Sequence, residues 1–278
     1  MNTVKPTHEA FGTYSVLMAV YHKDDPAFLR DAIDSMLRQT VPPAQFVLVC
    51  DGPLTPELDE VIESYGDALD VLRLPENKGL GNALRCGLER CSCELVARMD
   101  SDDISVPDRC EKQLAAFAAD DSLCVLSGAV EEFADDPEKP FAKRSVPLTH
   151  EEILAYCKRR NPFNHPAVMF RKQAILNAGG YNSDFYLFED YDLWTRVLRS
   201  GVKTANLSQT LLKFRANELQ VKRRGGVRFG RYMLAYRRHM RRTGWISRRE
   251  YLTSAYPHFI VCAMPNRMRR RVYQILRK

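Results

Sequence analysis

A chain of 278 residues with 45% hydrophobic and 27% charged residues can bury a sizeable core, and is long enough for one large α/β domain or for a domain plus an appendage. No apolar run is long enough to span a bilayer, and the eight cysteines lack zinc-site spacing, with Cys91 and Cys93 one residue apart and the others scattered. The net charge of +6 hides an asymmetry: residues 222–278 hold 17 Lys and Arg against one acid, Glu250, or +16, which leaves −10 on the first 221 residues.

Residues 1–13 read as a loose leader without an apolar secretory stretch, so reduced thiols and a cytoplasmic location are expected. Tyr14 to Tyr21 is an apolar run of strand length. Asp25-Pro26 starts a helix, and Phe28, Leu29, Ala32, Ile33, Met36 and Leu37 repeat with helical period. Val41-Pro42-Pro43 ends it. A second strand, Gln45 to Cys50, stops at the turn Asp51-Gly52-Pro53. Leu58, Val61, Ile62 and Tyr65 mark the next helix, Val71 to Leu74 a third strand, and Leu80, Ala83, Leu84 and Leu88 a third helix. Between these last two lies Asn77-Lys78-Gly79. Gly79-Leu80-Gly81 is not a dinucleotide fingerprint, because the third glycine would fall on Leu84; no P-loop is present either.

Leu95 to Met99 is a fourth strand. Asp100, Asp102 and Asp103 follow it at once. Strands alternating with helices predict a parallel sheet with right-handed crossovers. The strand tips at Tyr21, Asp51, Asn77 to Gly79 and Asp100 to Asp103 then converge on one edge, where open α/β sheets bind ligands. Carboxylates this close repel one another and favour a hard divalent cation between them. A solvated acidic turn is the plainer alternative.

Pro107 opens another helix, with Cys110, Leu114 and Phe117 inward, and Cys124 to Val130 reads as a strand. Residues 133–147 are a polar connection. Thr149 to Glu152 is a capping box. The loop Asn161 to Pro166 leads to a strand at Ala167 to Phe170. Gly179-Gly180-Tyr181 closes a short helix, and a further helix follows Glu189-Asp190 and closes at Gly201. An acidic pair at a helix start is also what the helix dipole favours for capping alone.

In the basic tail, Phe229, Tyr232, Met233, Tyr236 and Met240 recur with helical period among arginines. Tyr256 to Met264 is a modest apolar stretch, followed by Arg267, Arg269, Arg270 and Arg271. A basic amphipathic helix of this kind suits an anionic membrane surface. A packed helical extension with a solvated charged face is the alternative.

Residues 14–215 resemble an inverting family 2 glycosyltransferase of the GT-A fold, similar to bacterial capsule and exopolysaccharide enzymes of the amylovoran type. The motifs that carry the resemblance occur in order. They are Ser15 to Tyr21, Asp34 to Thr40, Val49 to Gly52, Asn77 to Gly79, Arg98 to Asp103 with Pro107 to Arg109, and Glu189 to Trp194. The resemblance implies a doubly wound, mainly parallel α/β domain over 14–218 with a basic helical extension over 219–278. It implies a nucleoside-diphosphate sugar donor, with UDP expected, held by Ala19, Val20, Tyr21, Asp51, Asn77, Lys78, Gly79, Arg98, Asp100, Ser101 and Asp102. Mn²⁺ or Mg²⁺ would be bound by Asp102 and Asp100, with Asp103 a weaker candidate that supports the turn. Asp190 resembles the general base, with Glu189 as its neighbouring alternative. His165 and Trp194 would face a saccharide or lipid-linked saccharide acceptor, although His165 reads equally well as a hydrogen-bonded structural histidine. The expected place of work is the inner face of the cytoplasmic membrane, with no nucleic-acid partner. Two rivals are weaker. A nucleotidyltransferase needs a glycine-rich basic loop after the first strand, where Tyr21 to Asp25 stands instead. A nucleic-acid-binding protein has only the tail in its favour.

Overall fold

The computed structural model describes residues 12–216, 226–264 and 268. Most of the expected leader, the 218/219 boundary, Lys222 and the arginines at 267 and 269–271 lie outside the described residues.

Nine strands form one mixed sheet. They are β1 (Tyr14–Val20), β2 (Gln45–Cys50), β3 (Asp70–Arg73), β4 (Leu95–Met99), β5 (Ile104–Ser105), β6 (Leu123–Phe133), β7 (Ala142–Arg144), β8 (Met169–Arg171) and β9 (Lys203–Arg215). Their order is β3-β2-β1-β4-β8-β6-β9-β5, with β7 on β6. The first four strands are mutually parallel. β8 runs antiparallel to both β4 and β6, and β9 is parallel to β6. Two reversals restore the original direction. The carboxyl ends of β6 and β9 therefore emerge at the same edge as those of β1, β2 and β4.

Helices cover both faces. α1 (Pro26–Leu37), α2 (Pro56–Glu63) and α4 (Arg109–Ala119) pack on one face; α3 (Leu80–Arg90), α5 (His150–Cys157) and α7 (Glu189–Arg199) pack on the other, and α6 (Lys172–Asn177) is a short turn after β8. The strand pattern dictates this division. Val16, Met18, Phe46 and Leu48 join the first core, whereas Leu17, Val47 and Val49 join the second, because successive side chains point to opposite faces. Local chemistry fixes the helix starts. The Asp25 carboxylate accepts from the amides of Ala27 at 2.8 Å and Phe28 at 3.4 Å ahead of Pro26, and Thr149 with Glu152 closes the expected capping box.

The extension is not a loose tail. α8 (Gly226–Arg242) and α9 (Arg248–Ala263) form a hairpin that shares the second core. Met233, Tyr236 and Met240 are buried against α5 and α7, each contributing on the order of 1.5–3 kcal/mol. The Tyr236 hydroxyl lies 2.7 Å from Thr195 Oγ1 and donates to the Tyr191 carbonyl at 3.0 Å. Arg237 is buried and donates to the carbonyls of Lys158 and Arg159, which closes the carboxyl end of α5. The apolar stripe that suggested a membrane helix is thus occupied by protein, and the packed alternative describes α8. Three strands were invisible to pattern reading. β5 is only two residues long, β7 lies inside the stretch 133–147 that read as a polar connection, and β9 mixes polar and apolar residues in a stretch with no expected element after Gly201.

Candidate active site

Asp51 follows β2 directly, and its carboxylate is an anchor for the neighbouring loop. It accepts from the backbone amides of Lys78 and Gly79, each at 2.9 Å, while Asn77 Nδ2 donates to the Asp51 carbonyl at 3.1 Å. Gly52 has φ +84°, and a Cβ there would lie 2.6 Å from the Asn77 nitrogen. Only glycine permits so close an approach in that conformation. Asp51 and Gly52 together set the Asn77 to Gly79 loop. Lys78 itself is exposed and paired with Glu76 at 2.7 Å.

Next along the edge, Asp24 follows β1 and accepts from the Tyr21 amide at 3.1 Å and from Ser101 Oγ at 2.8 Å. Ser101 thereby ties the acidic turn to the β1 tip. Val20 is buried, so its side chain faces the core, whereas Ala19 and Tyr21 are part-exposed.

The turn after β4 gathers Asp100, Asp102 and Asp103, with one oxygen of each within 4.8 Å of the others. Burial and the charges of Asp100 and Asp24 push the Asp102 carboxyl up to about 7. Asp103 is fully buried and also pushed well up, by burial and then by Asp102. Its Oδ1 accepts from the Arg215 amide at 2.8 Å, and its Oδ2 has no partner among the described residues. Hard oxygen donors that repel each other fit Mg²⁺ or Mn²⁺.

Two arginines balance the turn. Arg98 is 1% exposed and ion-paired with Asp100, while its Nε and Nη1 have no partner among the described residues. Arg215, at the end of β9, donates to the Asp102 carbonyl at 2.9 Å and to Asp31 at 3.2 Å, and its guanidinium stacks on Phe28 at 3.8 Å. Pattern reading missed Arg215 altogether. Only the return of β9 to the same edge puts it there. Behind the turn, the buried Arg109 donates to the Arg98 carbonyl at 2.7 Å and the Val168 carbonyl at 3.2 Å, so the helix after Pro107 holds β4 against the 165–168 turn.

Glu189 and Asp190 open α7. Asp190 accepts from Asn161 Nδ2 at 2.6 Å and from the Tyr191 amide at 2.7 Å. Burial raises the Glu189 carboxyl above its usual range. Asp192 in the same turn is a structural anchor, bonded to Arg196 at 2.8 Å and Asn182 at 3.3 Å. Burial raises the Tyr181 hydroxyl, with Arg98 opposing the shift and the charges of Asp190 and Asp100 adding to it.

Residues 15–180, more than half of the chain, match the family model described as "Glycosyl transferase family 2". The chain belongs to glycosyltransferase family 2. It is 38% identical over 263 residues to an Escherichia coli enzyme named UDP-Gal:alpha-D-GlcNAc-diphosphoundecaprenol beta-1,3-galactosyltransferase, covering 94% of this chain and 95% of that one. It is 40% identical over 215 residues to the amylovoran biosynthesis glycosyltransferase AmsE of Erwinia amylovora, covering 77% and 80%. The Staphylococcus aureus TarS structure in complex with UDP-GlcNAc shares the fold, with a TM-score of 0.63 at 18% identity over 81% of this chain. This glycosyltransferase spans 66% of that TarS chain and 40% of a longer one.

In the glycosyltransferase, His165 is buried and lies 3.0 Å from the Tyr181 hydroxyl; burial and then Arg98 hold it neutral. Trp194 is 0% exposed and packs edge-on to Phe163 and His165, so it offers an acceptor nothing to touch. The fold brings His165 and Tyr181 into the neighbourhood of Arg98. Trp194 supports them from inside the core.

Proposed function

We propose that this glycosyltransferase moves a sugar from a UDP-sugar to a saccharide carried on a lipid diphosphate, with inversion, in polysaccharide biosynthesis. The observation that carries the reading is the three-carboxylate turn at the edge where the strand tips meet. The E. coli relative supports the donor and acceptor classes. Its alignment covers 94% of this chain, so the likeness extends into the helical extension.

On this reading Ala19 to Tyr21 and the loop set by Asp51, with Asn77, Lys78 and Gly79, form the nucleoside side of the donor site. Asp100, Ser101 and Asp102 form the phosphate side. Asp102 and Asp100 would hold Mn²⁺ or Mg²⁺. Such an ion, when bound, neutralises the charge that builds on the leaving diphosphate. The unpartnered nitrogens of Arg98 supply donors beside Asp100. Asp190, oriented by Asn161, takes the proton of the acceptor hydroxyl, with Glu189 as the neighbouring alternative. The acceptor oxygen bonds to the anomeric carbon as the bond to the diphosphate breaks, and UDP leaves. A screen of UDP-galactose and UDP-GlcNAc with Mn²⁺ and a GlcNAc-diphosphate-alkyl acceptor tests this. Transfer is expected; donor hydrolysis or binding by neither sugar nucleotide would overturn it.

A lipid-linked acceptor also supports peripheral attachment to the inner face of the cytoplasmic membrane. Among the described residues no helix is long and apolar enough to cross a membrane. With the α8 stripe buried, the surface that suits a bilayer is the outer face of α9. Leu252, Tyr256 and Ile260 are 45%, 50% and 57% exposed at helical spacing, with exposed Arg248 and Arg249 at one end. Sedimentation of the full chain with phosphatidylglycerol vesicles is expected to weaken in high salt and to fall sharply in a Leu252→Ser/Ile260→Ser variant. Undiminished pelleting of that variant would exclude α9 as the contact.

A further inference from the structure

We infer that the depression between residues 183–187 and α8 is the acceptor saccharide subsite, walled by Tyr186 and Tyr232, with Arg228 placed for the acceptor's phosphate. The inference rests on the proposed saccharide acceptor and names where it binds. The depression has a volume of about 190 Å³ and is lined by Ser183, Asp184, Phe185, Tyr186, Tyr232 and Ala235.

Its walls have the right chemistry. Tyr186 is 57% exposed, a large aromatic held at the surface edge-on to Tyr232 at 5.4 Å. The apolar C–H face of a sugar stacks on such rings while its hydroxyls bond at the rim, here to Ser183 and Asp184. Phe185 packs on Tyr236 at 5.2 Å and His239 at 4.7 Å, so one wall is backed by packed rings. The exposed Arg228 donates Nε to the Tyr232 hydroxyl at 3.1 Å, which fixes a guanidinium beside the depression. Arginine in that position suits a phosphate.

The location is the second argument. The lining loop runs straight into Glu189 and Asp190. At its other end the Asn182 carbonyl lies against the first turn of α3, where a Cβ on Gly81 would meet it at 2.5 Å. The loop thus bridges the donor-side turn at Asn77 to Gly79 and the acidic pair. Within it Leu187 has φ +67°, a left-handed conformation costly for a leucine. Strain of this kind persists where the surroundings over-determine it, commonly in ligand clamps.

The test uses the full chain, UDP-galactose or UDP-GlcNAc, Mn²⁺, and two acceptors: GlcNAc-α-diphosphate-alkyl and the neutral GlcNAc-α-alkyl glycoside. Tyr186→Ala should raise the acceptor KM roughly tenfold or more, with donor Kd and melting temperature unchanged. Arg228→Ala should raise KM for the diphosphate acceptor and leave the neutral one unaltered. Unchanged acceptor KM in Tyr186→Ala would overturn the subsite. An equal effect of Arg228→Ala on both acceptors would overturn the phosphate assignment. Absence of transfer to either acceptor by the unsubstituted protein would instead overturn the functional reading on which the subsite rests.

Discussion

Replacing Gly52 with alanine puts a Cβ 2.6 Å from the Asn77 nitrogen and 3.1 Å from the Glu76 carbonyl carbon, at a residue with φ +84°. Both obstacles are backbone, so no side chain can swing away. The left-handed conformation costs an L-residue about 1–2 kcal/mol, and forced overlap in a packed site about 1–3 kcal/mol more. A total of roughly 2–5 kcal/mol lowers the melting temperature by about 3–9 °C in a chain of this size. The cheapest relief is to push residues 76–79 outward. That stretches the two 2.9 Å bonds from Lys78 and Gly79 to the Asp51 carboxylate. Donor binding should therefore weaken by at least about tenfold even where the protein remains folded. Asp51→Asn reaches the same loop by another route. An amide oxygen accepts one of the two amides but turns its own N–H₂ on the other, at about 1–3 kcal/mol. Because both changes act through one loop, the double variant should cost less than the sum of the singles. Thermal melts and calorimetric titration with UDP in Mn²⁺ read both quantities. A Gly52→Ala protein with unaltered melting temperature and unaltered UDP affinity would refute the reasoning, and strictly additive singles would refute the shared route.

Asp102→Asn should abolish Mn²⁺-dependent donor binding and lower transfer by about 10² or more, yet melt no lower than the unsubstituted protein in EDTA. It removes a carboxylate that Asp100 and Asp24 repel; a lower melt in EDTA would contradict that repulsion. Asp190→Asn should lower turnover by roughly 10²–10⁴ while sparing donor affinity. If Glu189→Gln gave that loss in steady-state assays and Asp190→Asn did not, the base would be Glu189. Arg215→Met should loosen the acidic turn by removing the contacts to the Asp102 carbonyl and Asp31, raising the Mn²⁺ concentration needed for half-maximal transfer; an unmoved Mn²⁺ titration would show the turn stands without it. Burial, then Arg237 and Arg160, lowers His258 to about 4. In the unfolded chain it protonates near 6.5, so the unfolded state binds more protons between those values. Its contribution is full above pH 6.5 and is lost as pH falls toward 4. Between pH 7.5 and 5.0 the unfolding free energy from urea titration should drop by less in His258→Gln than in the unsubstituted protein, a difference of about 1–2 kcal/mol. The raised Asp102 acts in the opposite direction in both proteins and cancels in that comparison.

The amino-acid sequence by itself determined the first half of the fold and the chemistry of the site. Gln45 to Cys50 forms the expected strand, and the capping box at Thr149 forms as read. Asp100 to Asp103 follows the fourth strand because alternation of strand and helix is a local pattern, and local patterns are written in consecutive residues. The family was legible for the same reason, since each of its motifs is a short run of consecutive residues. What Asp51 does was not legible. Its partners are the amides at 78 and 79, and no spacing in a sequence announces a bond across 27 residues. Arg215 meets the acidic turn across 112 residues only because β8 reverses the sheet and β6 and β9 restore its direction. The stripe on α8 shows the other limit. Periodicity tells that a helix has an apolar face but not what covers it. Met233, Tyr236 and Met240 could have faced lipid or protein on pattern alone. Thr195, Tyr191 and the carbonyls at the end of α5 supply the polar partners that seat α8 on protein, and that choice belongs to the tertiary structure.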